Sequence, residues 1–166
     1  MYSTDHIVAI NNNISLPSSS APEYGGNKNN INPEQALAAA MSSCHMMTFL
    51  ALACKMKWPV LKYSDNATAF IDKNSKGKMS VSKIELNPKI IFENNFEVSH
   101  EEMLKMQDRA HRYCFIANTL SEEVEVNLAR MVATAGAQLT QANTKQQAQQ
   151  QAPVSYTHLT LPTNRE

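Results

Sequence analysis

The stretch Asn32-Pro33-Glu34-Gln35-Ala36-Leu37-Ala38-Ala39-Ala40-Met41-Ser42-Ser43-Cys44-His45-Met46-Met47-Thr48-Phe49-Leu50-Ala51-Leu52-Ala53-Cys54 decides the fold. Its first residues read as a helix start. Asn32 can cap, Pro33 suits the first helical position, and Gln35 stands where a capping box wants Glu or Gln. From Ala36 to Cys54 there is no formal charge. A helix apolar on every face must be buried on every face. A chain of 166 residues struggles to surround such a helix alone. Either the same helix of a second subunit packs against it, or the chain's own sheet and second helix wrap it. The first arrangement is favoured, because symmetric pairs arise readily, and it predicts an obligate homodimer. Lys55-Met56-Lys57 puts cations at the C-terminus. Pro59 bars continuation, so Trp58-Pro59 marks the exit.

On the N-terminal side, His6-Ile7-Val8-Ala9-Ile10 is a short β-prone run that stops at Asn11-Asn12-Asn13. Residues 17–31 read as a long loop rich in Ser, Asn, Pro and Gly. On the C-terminal side, Ala67 to Lys73 and Lys78 to Phe92 predict a β-hairpin turning at Asn74-Ser75-Lys76-Gly77. Alternation breaks around Asn87-Pro88. Ser99-His100-Glu101-Glu102 is a second capping box, opening a helix to about Cys114. Met103, Gln107, Ala110 and Cys114 form its stripe, with Leu104 and Met106 beside it. Glu122 to Asn127 alternates as a final strand. This order predicts an α+β fold, an antiparallel sheet packed on a long buried central helix and a second helix. After Asn127 the sequence changes character. Residues 128–153 are a Gln/Ala/Thr tract without the apolar periodicity to bury anything. Residues 154–166 resemble a translated sequencing adapter and are set aside as a scar. The domain is therefore expected over residues 1–127.

Composition narrows the function classes. Lys+Arg and Asp+Glu are 15 each, so the formal net charge is zero. That argues against an electrostatic grip on nucleic acid or an anionic membrane. No apolar run reads as the roughly 18 residues of a membrane span, and the start has no basic n-region or apolar h-region of a secretory signal. Three cysteines (Cys44, Cys54 and Cys114) in a chain of this kind read as reduced cytosolic thiols rather than a disulfide framework.

Cys44 falls in the middle of the first helix and Cys114 at the end of the second. If those helices pack together, two thiols can meet. One thiolate can attack an O–O bond and become a sulfenic acid, and the second can condense with it to a disulfide before over-oxidation. Thiolate formation needs a nearby cation or a donor to sulfur. By spacing alone, three small buried core cysteines are the more ordinary outcome. A metal site from Cys44-His45 and His111-x-x-Cys114 is disfavoured. Adjacent helical residues diverge by about 100°, so Cys44 and His45 cannot easily share an ion.

Asn32 to Met46 resembles the central-helix motif of the OsmC/Ohr family (osmotically inducible and organic-hydroperoxide-resistance proteins). His111-Arg112-Tyr113-Cys114-Phe115-Ile116-Ala117-Asn118-Thr119-Leu120 is similar to that family's second-cysteine motif. The likeness runs from about Tyr2 to Asn127. It implies an OsmC/Ohr-like fold, an intertwined homodimer with the long helices at its centre, and a thiol-dependent, peroxiredoxin-like peroxidase of organic hydroperoxides. By the same resemblance Cys44 is the peroxidatic nucleophile, Cys114 the resolving thiol and Glu34 the acidic residue of the site. It implies a dithiol reductant of small or lipoyl type, no held prosthetic group, and a further strand that makes Met1 a truncated or late start.

Glu34 precedes Cys44 by ten residues, about 15 Å along a helix axis. It cannot touch its own Cys44. It either favours the helix N-terminus electrostatically or reaches the partner subunit's site, which is the favoured reading. Where the family places an active-site Arg near the N-terminus, this sequence has Thr4 within Tyr2-Ser3-Thr4-Asp5-His6. The Cys44 thiolate then needs another cation, for which His45, His6 and Arg112 are the candidates. The absence of that Arg also motivates a second reading: a non-catalytic dimer of the same fold that binds apolar small molecules or senses oxidants. His45 reads equally as a polar residue between the two helices. Cys54 reads as core or interface packing. Met41, Met46, Met47 and Met56 read as adaptable core or as the lining of an apolar pocket.

Overall fold

The computed structural model describes residues 2–128, 132–135 and 159–160. Its order is β1 (His6–Asn11), β2 (Ile14–Ser18), a 3-10 turn at Pro22–Tyr24, α1 (Pro33–Lys55), β3 (Val60–Asp65), β4 (Thr68–Lys73), β5 (Met79–Leu86), β6 (Lys89–Phe92), α2 (His100–Tyr113), a 3-10 turn at Ala117–Thr119, β7 (Glu125–Leu128), β8 (Val132–Ala135) and β9 (Leu159–Thr160). The expected α+β class is the observed one.

Both helices begin as their sequences dictate. Asn32 accepts from the Gln35 N–H at 2.8 Å while Gln35 Oε1 accepts from the Asn32 N–H at 3.0 Å. Ser99 and Glu102 make the same reciprocal box at α2, and the predicted stripe Met103, Gln107, Ala110, Cys114 is buried throughout. Met106 joins it, but Leu104 faces solvent. By length and composition α1 is long and apolar enough to cross a membrane, contrary to the expectation from run lengths. Core helices of folded domains share that composition, and α1 packs against α2, β3, β4 and β5. The chain's own sheet and second helix do not wrap α1 on every face. Ala38, Met41, Ser42, His45, Met46, Phe49, Leu52 and Ala53 form one buried stripe, while Ala36, Ala40, Met47, Ala51 and Cys54 form an exposed one.

The strands depart from the reading in three ways. First, β2 continues the first run as a hairpin. The Asn11 side chain accepts from the N–H groups of Asn13 and Ile14 and closes the turn, so the long loop starts only after Ser18. A Cβ on Gly26 in that loop would run into the Ser20 carbonyl, so the loop folds tightly there only because residue 26 is glycine. Second, Val60–Asp65 is a strand that the sequence reading passed over. Third, the expected long second arm of the hairpin is two strands. Pro88 has no N–H to continue a ladder, and the chain crosses there from β5 in the sheet β4-β5-β7 to β6 in the sheet β8-β6-β3-β9. Asp65 pins the crossing by accepting from the Asn87 N–H at 2.6 Å. The β1–β2 sheet is antiparallel and the two larger sheets are mixed: β5–β7 and β6–β8 are parallel, as a return through α2 allows.

Two apolar clusters share α1. Met46, Phe49, Leu52 and Ala53 meet Tyr63, Ile90, Phe92, Met103, Met106 and Ala110. Trp58, at the helix exit, stands edge-on to Phe49 and Phe92. Toward the N-terminal half, Ala38 and Met41 meet Ala67, Ile84, Leu86 and Cys114, with Cys44 packed alongside. The expected domain end at Asn127 falls within β7. Of the stretches 128–153 and 154–166, only Leu128, Val132–Ala135 and Leu159–Thr160 are described, and each belongs to a strand. The rest of those two expectations lies outside the described residues.

Candidate active site

Cys44 is partly buried in mid-α1, and Cys114 ends α2 with its side chain wholly buried. α1 packs on α2, and Cys44 lies against the apolar cluster that holds Cys114. Both are free thiols. The chain leaves α2 at Cys114 in an extended conformation, with φ −73° and ψ 118°. It then turns sharply, and the Asn118 amide fastens the turn by donating to the carbonyls of Arg112 at 3.0 Å and Cys114 at 2.8 Å. The Ala117 N–H donates to the Cys114 sulfur at 3.5 Å.

The shared surroundings drive the two thiols apart. For Cys44, burial acts to raise the thiol. It is outweighed by donation from the Ile116 N–H, the Cys114 thiol, the Phe115 N–H and the Thr48 hydroxyl, so Cys44 lies below the ordinary thiol value. Thr48 also donates to the Cys44 carbonyl at 2.8 Å, and its single proton serves one acceptor at a time. For Cys114, burial is the largest influence. With the neighbouring Cys44 it pushes the thiol up to about 11, against the Ala117 and Ile116 N–H groups. Such an arrangement offers one thiolate for attack on an electrophile and one protonated thiol in reserve.

None of the strongest influences on the Cys44 sulfur is a cation. The three candidates for the place of the missing guanidinium, His45, His6 and Arg112, each have another partner within the chain. His6 is exposed and its Nδ1 meets the Thr4 carbonyl at 2.8 Å. Arg112 is exposed and pairs with Asp108 at 3.1 Å along α2. Thr4 is bound into a hydroxyl cluster with Ser19 and Ser20. His45 settles into the polar role between the helices: its Nε2–H donates to Gln107 Oε1 at 2.6 Å, both residues being fully buried. Helical geometry turns it about 100° away from Cys44.

Burial holds the His45 imidazole below its ordinary 6.5, against the Gln107 bond, with His111 lowering it and Asp65 raising it. The unfolded chain therefore takes up that proton first. The resulting stability is fully present above about pH 6.5 and is lost as the pH falls below it, by at most about 1.4 kcal/mol per pH unit. Urea midpoints measured at pH 7.5 and 5.5 are expected to fall on acidification, and to fall less in His45→Gln. Equal acid sensitivity of the two proteins would contradict this.

Glu34 does not approach Cys44 of its own chain. It lines a cavity of about 250 Å³ with Tyr24, Ile71, Met79, Ser80 and Val81. Its Oε2 is buried without a hydrogen-bond partner among the described residues. Cys54 is exposed, not in the chain's own core. Met41 and Met46 are core, whereas Met47 and Met56 are exposed. Among the described residues no three His, Cys, Asp or Glu side chains gather around a metal position.

Four participants escaped the sequence reading. Thr48 could have been found, since it lies four residues after Cys44 and hence on the same helix face. Gln107 was on the predicted stripe but without a partner. The amides of Phe115 and Ile116 carry no side-chain signature.

The sequence model of the OsmC-like protein family matches residues 25–129, more than half of the chain. The chain belongs to the OsmC-like family. No curated protein sequence matches it. Among solved structures, an OsmC-like protein of unknown function from Vibrio cholerae is 36% identical, with a TM-score of 0.70, covering 76% of this chain and 86% of its own. An organic hydroperoxide resistance protein from Elizabethkingia anophelis, bound to thiocyanate, is 19% identical with a TM-score of 0.62, covering 81% and 96%. An organic hydroperoxide resistance protein OsmC from Legionella pneumophila is 17% identical with a TM-score of 0.59, covering 81% and 97%. The last two likenesses establish the shared OsmC fold. Both cysteines and Glu34 lie inside the segment matched to the family, while Thr4 lies outside it.

Proposed function

We propose that this OsmC-like chain is a thiol-dependent peroxidase of organic hydroperoxides. The observation that carries the reading is the packing of Cys44, from one helix, against the cluster that holds Cys114, at the end of the other, with Cys44 held below the ordinary thiol value and Cys114 above it. Family membership and the fold shared with organic hydroperoxide resistance proteins support a peroxiredoxin-like role in general. In the proposed reaction the Cys44 thiolate attacks the distal oxygen of ROOH. The O–O bond breaks, the alkoxide leaves as ROH after taking a proton, and Cys44 becomes a sulfenic acid. The Cys114 sulfur then attacks the Cys44 sulfur. An S–S bond forms, and hydroxide leaves with the Cys114 proton as water. A dithiol of lipoyl type returns both thiols by exchange and is itself oxidised.

The same reading assigns a homodimer. On α1 the exposed stripe of Ala36, Ala40, Met47 and Ala51 is apolar and unpartnered among the described residues. The β1–β2 ribbon exposes Ile7, Val8, Ile10, Ile14 and Leu16, and a two-stranded ribbon alone is marginal in water. A second copy covers both. Glu34 then serves the partner's Cys44. Three free thiols fit a reducing cytoplasm. The second reading, an apolar-ligand binder or oxidant sensor without turnover, draws on Thr4 at the guanidinium position.

Mixing reduced protein with cumene hydroperoxide and excess dihydrolipoamide decides between them. Continuous peroxide consumption is expected. Consumption no faster than in protein-free buffer would overturn the peroxidase reading and leave the binder or sensor. Light scattering on the same sample is expected to give twice the chain mass, and a stable monomer would remove the dimer.

A further inference from the structure

The C-terminus of α2 is clamped by a residue four positions past Cys114. The last carbonyls of a helix have no partner within it. The Asn118 side-chain amide has two hydrogens and two such acceptors: the Arg112 carbonyl at 3.0 Å, inside α2, and the Cys114 carbonyl at 2.8 Å, just beyond it. The Asn118 backbone N–H reaches the same Cys114 carbonyl at 3.1 Å. The Cys114 N–H donates to the His111 carbonyl at 3.1 Å, and the Ala117 N–H donates to the Cys114 sulfur at 3.5 Å. The N–H, carbonyl and sulfur of Cys114 are thus each held, and one side chain ties its carbonyl back to the helix. That side chain is exposed and is no member of the apolar cluster around Cys114.

We propose that Asn118 is the positioning residue of the resolving cysteine, its side-chain amide fixing the backbone that carries the Cys114 sulfur. This rests on the reading of Cys114 as the resolving thiol, and Cys44 packs alongside the cluster in which Cys114 is buried. A sulfenic acid on Cys44 has two fates. Attack by the Cys114 thiol forms the S–S bond and releases water, at a rate set by how that sulfur is placed. Attack of the sulfenic acid on a second ROOH breaks another O–O bond, giving the sulfinic acid and ROH. That rate is set by the peroxide concentration. A residue that places Cys114 therefore fixes the peroxide concentration at which over-oxidation overtakes resolution. Asn118 touches neither sulfur and acts through the backbone of Cys114.

The test reads the partition between those fates. Reduced full-length chain is given increasing cumene hydroperoxide without a reductant, and mass spectrometry counts Cys44–Cys114 disulfide against Cys44 sulfinic acid. In Asn118→Ala the peroxide concentration giving equal amounts is expected to fall about tenfold. Asn118→Asp keeps the shape but, once ionised, has no hydrogen to donate, so the same fall is expected. If one variant fails to fold, the other decides. Ser99→Ala controls for a merely structural role. It removes the cap at the far end of α2, so it is expected to lower the urea midpoint and leave the partition unchanged. An unchanged partition in the Asn118 variants, or an equal fall in Ser99→Ala, overturns the proposal. A glutathione buffer reads the same placement without peroxide. There the two protein thiols and oxidised glutathione exchange to the protein disulfide and two reduced glutathiones. The protein disulfide is expected to be disfavoured about tenfold in the Asn118 variants, and equality with wild type overturns the proposal. Failure of peroxide to oxidise Cys44, with the glutathione shift present, would remove the peroxidase and leave Asn118 standing.

Discussion

Replacing Cys44 by serine is expected to abolish hydroperoxide consumption, by at least about a thousandfold, as loss of a nucleophile does when no neighbour can act in its place. Serine keeps the size and the hydrogen-bonding reach, so the packing beside Ala38, Met41 and Leu86 survives. It has no accessible anion near neutral pH, and the donors from Ile116, Phe115 and Thr48 cannot create one. Cys114→Ser is expected to fail differently. Its first turnover proceeds, because Cys44 remains depressed by the backbone donors even without the Cys114 thiol. The sulfenic acid then has no resolving sulfur and is carried on by excess peroxide to the sulfinic acid. Mass spectrometry distinguishes the outcomes. Oxidised wild-type chain loses two hydrogens in a Cys44–Cys114 disulfide, the Cys114→Ser chain gains two oxygens on Cys44, and the Cys44→Ser chain does neither. Equal peroxide consumption by wild type and Cys44→Ser would remove the assignment of the nucleophile.

Phe49→Ala is expected to cost about 3–5 kcal/mol of stability. Phe49 is fully buried, and its ring lies 5.5 Å from Tyr63 and 6.4 Å from Trp58 between centroids. It joins α1 to β3 and, through Trp58, to Phe92 and Phe96. Deleting the ring leaves a void lined by large rigid aromatics, which cannot collapse into it. With a urea dependence of about 2 kcal/mol per molar, the midpoint is expected to fall by about 2 M. Tyr63→Phe provides a contrast. The Tyr63 hydroxyl is buried without a hydrogen-bond partner among the described residues, so its removal is expected to cost nothing. A small loss for Phe49→Ala would show that the aromatic box repacks.

Much of this was legible in the chain itself. Asn32-Pro33-Glu34-Gln35 and Ser99-His100-Glu101-Glu102 determined both helix starts, because capping chemistry is local and complete within four residues. The stripe from Met103 to Cys114 determined which face of α2 goes inward, because helical period converts spacing into direction. The run Ala36–Cys54 showed that something must cover α1. The two cysteine motifs carried the family.

Tertiary structure decided the rest, and in each case the cause is a partner distant in sequence. Val60–Asp65 is a strand because Lys89–Phe92 lies beside it, and the hairpin's second arm divides because Asp65 anchors the Asn87–Pro88 crossing. His45 turned from candidate cation to neutral core residue when Gln107 came across from α2. Most of all, the depression of Cys44 comes from amides that begin seventy-one residues further on, at Phe115. Every residue but proline carries an amide N–H, so no pattern of side chains could announce which two would face that sulfur.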